Sequence, residues 1–296
     1  MNALTSVVAR FEADEQVARR VADRLCEHFA VDEVAVGLTE AEGRWQVAIY
    51  FRSTPNLTAV NTAVQKIAGR EIAAALRFER IAATDWVPAS LAGLAPVVAG
   101  RFVAHGAHDR ARIAANQIGI EIEAGLAFGT GHHGTTRGCL LALDRIGKSR
   151  NPRRPAPRIL DLGTGSGVLA IAAARSLRAR VLATDIDTDA VYVARANAAL
   201  NHAAPLMNIV HAGGVAAASV RWRAPFDIVF ANILLGPLRR LATPLKQLVA
   251  PGGRLILSGL LAAQANAAIA AYRPLALERR ITLDGWSTLV FVRRLA

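Results

Sequence analysis

Apolar and polar residues alternate in two different ways along the chain. Before residue 84, short apolar segments are interspersed with stretches that carry apolar residues at helical spacing. From residue 158 onward, runs of consecutive apolar residues, typical of strands buried on both faces, alternate with helical stretches. Residues 84–123 contain scattered Pro and Gly with little periodicity, which predicts a link between two domains.

The first part of the chain predicts a small α+β domain. Its strands are expected at residues 4–10, 33–38, 45–51 and 76–81, and its helices at residues 12–28 and 57–70. The order βαββαβ is the split arrangement of ferredoxin-like domains. No catalytic constellation occurs in residues 1–83, so we expect this domain to recognise a partner. A purely structural extension is the alternative.

The second part predicts an open, doubly wound α/β sheet over residues 124–296. A strand, a tight turn and a helix are expected within residues 158–171. Further strands are predicted at 180–184, 207–211, 226–232 and 254–260, helices at 136–146, 188–200, 237–249 and 262–272, and a terminal antiparallel pair at 275–283 and 286–294. Ligands of such Rossmann-like sheets bind beyond the carboxyl ends of the strands.

A glycine-rich turn follows the first of these strands and is the strongest candidate for a ligand site. Gly163, Gly165 and Gly167 occupy every second position, and Asp161 precedes them. Val168 stands where the dinucleotide fingerprint requires its third glycine. The spacing is instead typical of methyltransferases that use S-adenosylmethionine. We therefore predict that Asp161, Gly163 and Gly165 bind that cofactor; a turn that is merely tight is the alternative.

Two more polar residues stand at strand ends. Asp185 directly follows the strand 180–184 and is expected to accept hydrogen bonds from ribose hydroxyls of the cofactor. Asp187 is suited to cap the next helix. Asn232 ends the strand 226–232, where substrate and cofactor must meet. Its uncharged amide could orient an amine while leaving the lone pair of that amine directed at a methyl group. The alternative is that Asn232 only caps the helix 237–249.

Residues 125–137 imitate a phosphate-binding loop. Gly129, four intervening residues and Gly134 fit that pattern, but the lysine that should follow is absent and no strand clearly precedes the loop. These two differences exclude nucleotide hydrolysis. The stretch is predicted to fold over a ligand, with the hydroxyls and the amino terminus of the helix 136–146 free to bind a carboxylate.

The composition limits the binding partners and the cellular compartment that we expect for this protein. The 296 residues, 53% of them hydrophobic, can fill two cores, and neither a signal peptide nor a membrane span is apparent. Cys26 and Cys139 alone fit a cytoplasmic location, and the isolated pair His105 and His108 predicts no metal site. The net charge of +12 favours partners rich in nucleic acid. Its densest run, Lys148–Arg158, is either a solvated loop or an RNA contact.

Together these motifs resemble the PrmA family of ribosomal protein L11 methyltransferases over most of the chain. The stretches that carry the resemblance are Gly125–Thr136, Ile159–Ile171, Asp185–Asp187, Phe226–Leu238 and Pro251–Ala265. The resemblance implies an S-adenosylmethionine-dependent protein methyltransferase with a substrate-recognition domain at its amino terminus. It implies cofactor contacts at Thr136, Gly163, Asp185 and Asn232, and we predict Asn232 as the catalytic residue.

The substrate implied by the resemblance is ribosomal protein L11, free or on the ribosome, near ribosomal RNA and away from membranes. The amines are lysine side chains, the N-terminal α-amine or both. Methylation of RNA or of another protein's lysine remains an alternative, as does a non-catalytic ribosome-binding module. The chain departs from the family at Gly134, where a proline is usual and where Gly predicts a more mobile loop. The family assigns no role to His132 or to the insertion 148–158.

Overall fold

A computed structural model describes residues 6–14, 16–18, 20–21, 24, 34–41, 44–51, 55–81, 96–122, 134–151 and 153–295. The chain divides into two compact units, Met1–Ser90 and Leu91–Ala296. Each unit has its own hydrophobic core among these residues. No helix within the described ranges is long and apolar enough to cross a membrane.

The first unit is built on a four-stranded antiparallel sheet. Its strands are β1 (Ser6–Ala13), β2 (Val34–Ala41), β3 (Arg44–Phe51) and β4 (Arg77–Ile81), and its helices are α1 (Leu57–Ala68) and α2 (Arg70–Ala74). Residues 16–18, 20–21 and 24 are also helical. The spatial order β2-β3-β1-β4 confirms the predicted ferredoxin-like arrangement.

The first helix was predicted to begin too early, at residue 12. Val7, Ala9, Phe11 and Ala13 are all buried, so the alternation of β1 continues to Ala13. The chain therefore stays extended through residues 12 and 13. Of the later residues of the predicted helix, 16–18, 20–21 and 24 are described as helical.

The second unit contains the predicted α/β sheet, which has seven strands. They are β8 (Ile159–Leu162), β9 (Val181–Asp185), β10 (Met207–His211), β11 (Phe226–Asn232), β12 (Val249–Leu261), β13 (Ala276–Leu283) and β14 (Trp286–Val292). Their order is β10-β9-β8-β11-β12-β14-β13. The first five strands are mutually parallel, and β14 pairs antiparallel with both of its neighbours. This arrangement confirms the predicted fold class.

In the described part of this unit, seven α-helices connect or cover these strands. They are α3 (Gly134–Ser149), α4 (Val168–Leu177), α5 (Thr188–Leu200), α6 (Ala218–Arg221), α7 (Leu235–Arg240), α8 (Ala242–Leu248) and α9 (Ala265–Ala271). The predicted helix 237–249 is in fact two helices. Pro244 explains the break, because its ring would clash with the carbonyl of Arg240 in a continuous helix, whereas proline is tolerated in the first turn of α8.

The strand predicted at residues 254–260 begins earlier than expected, because residues 249–253 also belong to β12. Phe226 pairs with Val249 and Ile228 pairs with Arg254, so residues 250–253 form a bulge opposite a single residue of β11. The strand therefore begins at Val249 and is 13 residues long. The terminal hairpin around Asp284 and Gly285, both at positive φ, is confirmed.

Residues predicted as a loose link instead include a small sheet. β5 (Val97–Ala99) pairs antiparallel with β6 (Phe102–His105), which pairs parallel with β7 (Ile118–Glu121). Phe102 and Ile120 are fully buried in the core that includes α3 and α4. Strands of three and four residues leave too little periodicity to be recognised in sequence, which corrects the expectation of an irregular link.

Asn201 ties this small sheet to the rest of the unit. Its Oδ1 accepts a hydrogen bond from the Glu121 amide at 2.8 Å, and its Nδ2 donates to the carbonyls of Glu121 at 2.6 Å and Asn197 at 2.8 Å. The Glu121 carboxylate in turn pairs with Arg110, which lowers the pKa of that carboxyl. A single amide side chain thus bonds both backbone groups of Glu121 and adds a second bond to the Asn197 carbonyl, which also accepts from the Asn201 amide.

We expect Asn201→Ala to destabilise the second unit by about 3 kcal/mol, because buried backbone groups would lose their partners. The matched control is Asn208→Ala, which removes an exposed amide from β10 and should change stability little. Urea unfolding followed by tryptophan fluorescence compares the two variants. Equal midpoints for both variants would contradict the role given to Asn201.

Candidate functional site at the carboxyl ends of the strands

Three strands of the larger sheet end side by side. β8 ends at Leu162, β9 at Asp185 and β11 at Asn232, and β8 lies between the other two. The chain runs from β8 to β9 and β10 on one side and then returns to β11 on the other. The strand order therefore reverses at β8, and ligands of open α/β sheets bind at such a reversal.

The glycine turn after β8 is fastened to the end of β9. The amides of Gly163 and Thr164 donate to the carbonyl of Thr184 at 2.8 and 3.0 Å. The next glycine amide, that of Gly165, donates to Asp185 Oδ2 at 2.8 Å. These bonds fix the turn beside the carboxylate of Asp185, so two of the predicted site residues are in direct contact.

Asp185 retains acceptor capacity. Its Oδ2 accepts from Gly165, and its Oδ1 accepts from the Asp187 amide at 3.0 Å. A carboxylate has about four lone-pair sites, so each oxygen can accept another hydrogen bond. Asp187 caps α5 as predicted, with its side chain accepting from the Asp189 amide.

The segment after Asn232 passes between two glycines. A Cβ at Gly163, whose φ is 71°, would lie 2.6 Å from Cγ2 of Ile233. A Cβ at Gly259, whose φ is 82°, would collide with the backbone carbonyl of Ile233. Because backbone cannot give way as a side-chain terminus can, Gly259 is the stricter requirement. Gly259 is not among the site residues predicted from the sequence.

Asn232 and Thr136 meet although they are far apart in sequence. Asn232 Nδ2 donates to Thr136 Oγ1 at 3.4 Å, and Thr136 is almost completely buried. Among the described residues, Asn232 Oδ1 accepts no hydrogen bond. The residue that caps α7 is Leu234, which provides no side-chain bond, so Asn232 does not serve as the helix cap.

The amino terminus of α3 is held by polar contacts with the neighbouring strands. Ser258 Oγ donates to the Thr135 carbonyl at 3.3 Å and lies 2.8 Å from Thr288 Oγ1. Gly134 is buried, and a Cβ there would lie 2.5 Å from the carbonyl oxygen of Leu283. The helix begins at Gly134, two residues earlier than predicted. Residues 123–133, with His132 and the predicted loop motion, lie outside the described residues.

Asp161 lies beneath the turn, with 1% of its surface exposed. Its Oδ2 accepts a hydrogen bond from Thr164 Oγ1 at 2.7 Å, whereas Oδ1 has no partner within hydrogen-bond distance among the described residues. Burial raises the pKa of this carboxyl to about 7; the Thr164 bond opposes the shift and the charge of Asp185 adds to it. An unpaired buried oxygen at the floor of the turn is free to accept a bond from a ligand.

Ile186 is a further candidate for the site that was not predicted from the sequence. It directly follows Asp185 and is 74% exposed. His211 Nε2 lies 2.8 Å from the Ile186 carbonyl, and the Ala212 amide donates to the Asp185 carbonyl at 2.8 Å, so the segment is held at two points. An exposed apolar side chain beside a carboxylate offers an apolar contact surface to an aromatic ring. The signal was the aliphatic residue between two aspartates.

The remaining candidates have structural contacts. His105 Nδ1 lies 2.9 Å from the Gly106 carbonyl, and His108 Nε2 lies 3.0 Å from Asp109 Oδ2. Within the described parts of the chain, no group of three or more His, Cys, Asp or Glu side chains could hold a metal ion. Cys139 is fully buried, and burial raises the pKa of its thiol to about 12. This thiol therefore stays protonated; Cys26 lies outside the described residues.

Comparison with known proteins gives a consistent result. Residues 3–294 match a family model described as ribosomal protein L11 methyltransferase (PrmA). Relatives with the name ribosomal protein L11 methyltransferase are 54% identical over 283 residues in Rhodopseudomonas palustris and 51% identical over 279 residues in Bradyrhizobium diazoefficiens. These alignments cover 95% and 93%, respectively, of both chains.

A solved structure is similar as well. The crystal structure of the ribosomal protein L11 methylase from Lactobacillus delbrueckii subsp. bulgaricus matches with a TM-score of 0.58 and 27% sequence identity. The match covers 68% of this chain and 100% of the solved one.

Replacing Asp161 by Asn should make stability less dependent on pH. The pKa of Asp161 is about 7 in the folded protein, above its ordinary value of 3.8. The raised pKa therefore contributes its full stabilisation of the folded state below pH 3.8, and this stabilisation is lost as pH rises through 7. The amide stays neutral, so we expect the thermal midpoint of Asp161→Asn to rise relative to the parent between about pH 5 and about pH 8. Scanning calorimetry measures both midpoints, and an equal offset at both pH values would contradict the argument.

Proposed function

The chain belongs to the PrmA family of ribosomal protein L11 methyltransferases, and we propose that it transfers methyl groups from S-adenosylmethionine to amines of ribosomal protein L11. The amines are lysine side chains, the N-terminal α-amine or both. The observation that carries the proposal is the meeting of Asn232 with Thr136 beside the glycine turn, at the edge where the strand order reverses.

The residues at this edge fit S-adenosylmethionine. Asp185 has free acceptor sites for two ribose hydroxyls, and Ile186 offers an apolar face to the adenine. Gly163 and Gly165 allow the ligand to approach the backbone closely, and the unpaired Oδ1 of Asp161 can accept a bond from its amino group. The cofactor supplies a methyl group bonded to positively charged sulfur.

The carboxylate end of the cofactor is assigned to the amino terminus of α3. A helix of 16 residues presents unpaired amides and a positive dipole end at its first turn. Thr136 lies in this turn, and its hydroxyl already contacts Asn232. The ribose of the ligand would then be held by Asp185 and its carboxylate by the amino terminus of α3. This arrangement places the reactive part of the ligand near Asn232.

Asn232 is proposed to orient the amine that is methylated. Its Nδ2 is directed to Thr136, so the free Oδ1 can accept a hydrogen bond from the amine. That bond aims the nitrogen lone pair along the line of attack, and alignment is the main contribution a protein makes to such a displacement. An α-amine with a pKa near roughly 8 is partly neutral, whereas a lysine near roughly 10.4 must lose its proton as it leaves water.

We assign recognition of L11 to residues 1–83 and methyl transfer to residues 124–296. The first unit has the sheet of a ferredoxin-like domain, and the groups proposed for methyl transfer all lie in the second unit. The small sheet β5–β7 packs with α3 and α4 and therefore supports the second unit. The proposed reaction takes place in the cytoplasm, where ribosomal proteins are made.

Mass spectrometry tests the reaction. Purified L11, ribosomal RNA and a mixture of other ribosomal proteins are each incubated with the enzyme and S-adenosylmethionine. Steps of one methylene mass on L11 are expected, and fragmentation identifies the modified amines. Label on RNA or on another protein in place of L11 would contradict the proposed substrate, and failure to bind S-adenosylmethionine would indicate a non-catalytic module.

Asn232→Ala should lower kcat for L11 methylation about 100-fold, because the amine loses its orienting acceptor. The dissociation constant for S-adenosylmethionine should change much less if the main role is to position the amine. Asn266→Ala, which removes an exposed amide from α9, is the matched control. Full turnover by Asn232→Ala with an unchanged product would refute the assignment.

Asp185→Ala should weaken S-adenosylmethionine binding about 100-fold, since hydrogen bonds to a charged acceptor contribute about 1.5–3 kcal/mol each. Asp187→Ala provides the comparison, because this neighbouring carboxylate caps α5. Its loss should cost about 1 kcal/mol of stability while leaving cofactor affinity nearly intact. Isothermal titration calorimetry measures both affinities; equal losses in the two variants would argue against direct contact by Asp185.

A further inference from the structure

Two neighbouring strands of the large sheet each begin directly after an arginine. Ile159 of β8 pairs with Val181 of β9, so the preceding residues, Arg158 and Arg180, stand at adjacent positions about 5 Å apart. Both are exposed. The edge of the sheet where they lie is opposite to the one that holds Asn232, because parallel strands all begin at one edge and end at the other.

The basic insertion before β8 is attached to a second basic segment before β11. The Arg158 amide donates to Asp227 Oδ2 at 2.7 Å, and its guanidinium donates to the carbonyls of Arg223 and, at 3.5 Å, Ala224. Within the insertion, Arg150 Nη2 donates to the Arg154 carbonyl at 2.7 Å. These contacts bring two basic segments, some 65 residues apart in sequence, together on one surface.

An almost fully exposed tryptophan lies in the second of these segments. Trp222 is 86% exposed and stands between Arg221 and Arg223, which are exposed as well. Leaving an indole in water forgoes the hydrophobic stabilisation that burial would give. An aromatic ring flanked by cations is the arrangement on which nucleic-acid bases stack while their phosphates are neutralised.

The positive charge of this surface is not cancelled by neighbouring acids. The sequence contains no Asp or Glu in residues 145–160 or 190–226. Among the described residues, no carboxylate lies within ion-pair distance of Arg153, Arg154, Arg221 or Arg223. Asp227 stands at the surface, where it accepts the Arg158 amide. The surface therefore carries six arginines against one carboxylate, an excess of positive charge that attracts a polyanion.

We propose that this surface, formed by Arg153, Arg154, Arg158, Arg180, Arg221, Arg223 and Trp222 and here called the basic edge, binds single-stranded RNA. Trp222 stacks on a base and the arginines contact phosphates. The choice of RNA over DNA rests on the proposed function, because L11 is a component of the ribosome. A membrane surface fits less well, since arginines rather than further apolar side chains flank Trp222.

RNA bound at the basic edge would leave the methyl-transfer site accessible. The seven residues of β11 span about 23 Å, and the basic edge lies at the end of this strand opposite Asn232. The insertion 148–158 thus has a role separate from catalysis. The enzyme could hold RNA near a ribosomal protein substrate while the opposite edge carries out methylation.

Fluorescence anisotropy of the full-length protein with a labelled single-stranded RNA of about 12 nucleotides tests this proposal. Neither S-adenosylmethionine nor L11 is present, so the result does not depend on the proposed methyl transfer. We expect Trp222→Ala to weaken binding about tenfold and Trp222→Phe to restore most of it. Arg153→Ser combined with Arg154→Ser should reduce the slope of log affinity against log salt concentration by about 1.4.

The matched control is Arg279→Ser combined with Arg280→Ser, which removes two exposed charges from β13 at the far side of the sheet. This control should bind RNA as the parent does, and thermal midpoints verify that each variant is folded. Parental affinity in Trp222→Ala, or an equal loss of slope in the control, would overturn the proposal. The proposal would also be overturned if the protein bound vesicles of phosphatidylglycerol and phosphatidylcholine and if Trp222→Ala weakened that binding as much as it weakened RNA binding. A single-stranded DNA of the same sequence that binds more tightly than the RNA would overturn the choice of RNA.

Discussion

The backbone of Ile233 passes between Gly163 at the end of β8 and Gly259 in β12, and the position of Asn232 depends on this passage. A Cβ at Gly259 would occupy the place of the Ile233 carbonyl, so the segment after Asn232 would have to move. The hydrogen bond to Thr136 extends the constraint to α3, whose first turn is fixed in addition by the contact between Ser258 and Thr135. Close backbone approach thus aligns three strands and one helix around a single amide side chain.

The two carboxylates at this edge, Asp185 and Asp161, differ in their exposure to solvent. Asp185 is partly exposed, and each of its oxygens accepts a hydrogen bond from a backbone amide and can accept another from a hydroxyl. Asp161 is buried with one bond from Thr164, and burial raises its pKa to about 7. A ligand with an amino group can satisfy the unpaired oxygen of Asp161 and favour its ionised form. A ligand that donated a hydrogen bond to this oxygen would therefore release a proton from Asp161 as it bound.

Sequence patterns predicted the elements that surround the site better than the elements that support it. The bounds of α5, β10 and β11 agree with the prediction, because Asp187 marks a helix start and the strands are short apolar runs. The sheet β5–β7 was missed because its stability comes from burial against α3 and α4 and from Asn201, which are contacts distant in sequence. Gly259 was missed for the same reason, because its close approach to the backbone of Ile233 joins two segments distant in sequence. Ile186 was missed although its position between two aspartates was a signal, since the sequence alone does not show that its side chain is exposed.

The net charge of +12 has no explanation in methyl transfer, which requires alignment rather than a positive surface. The distribution of that charge is more informative than its sum. At the carboxyl ends of β8, β9 and β11 the site contains two carboxylates and an amide. At the beginnings of the same strands, Arg158 precedes β8, Arg180 precedes β9, and Arg221 and Arg223 flank Trp222 ahead of β11. The two edges of the sheet are separated by the full length of its parallel strands. The sheet can therefore bind a cationic ligand at the carboxyl ends of the strands and a polyanion at their amino ends, and neither electrostatic field cancels the other.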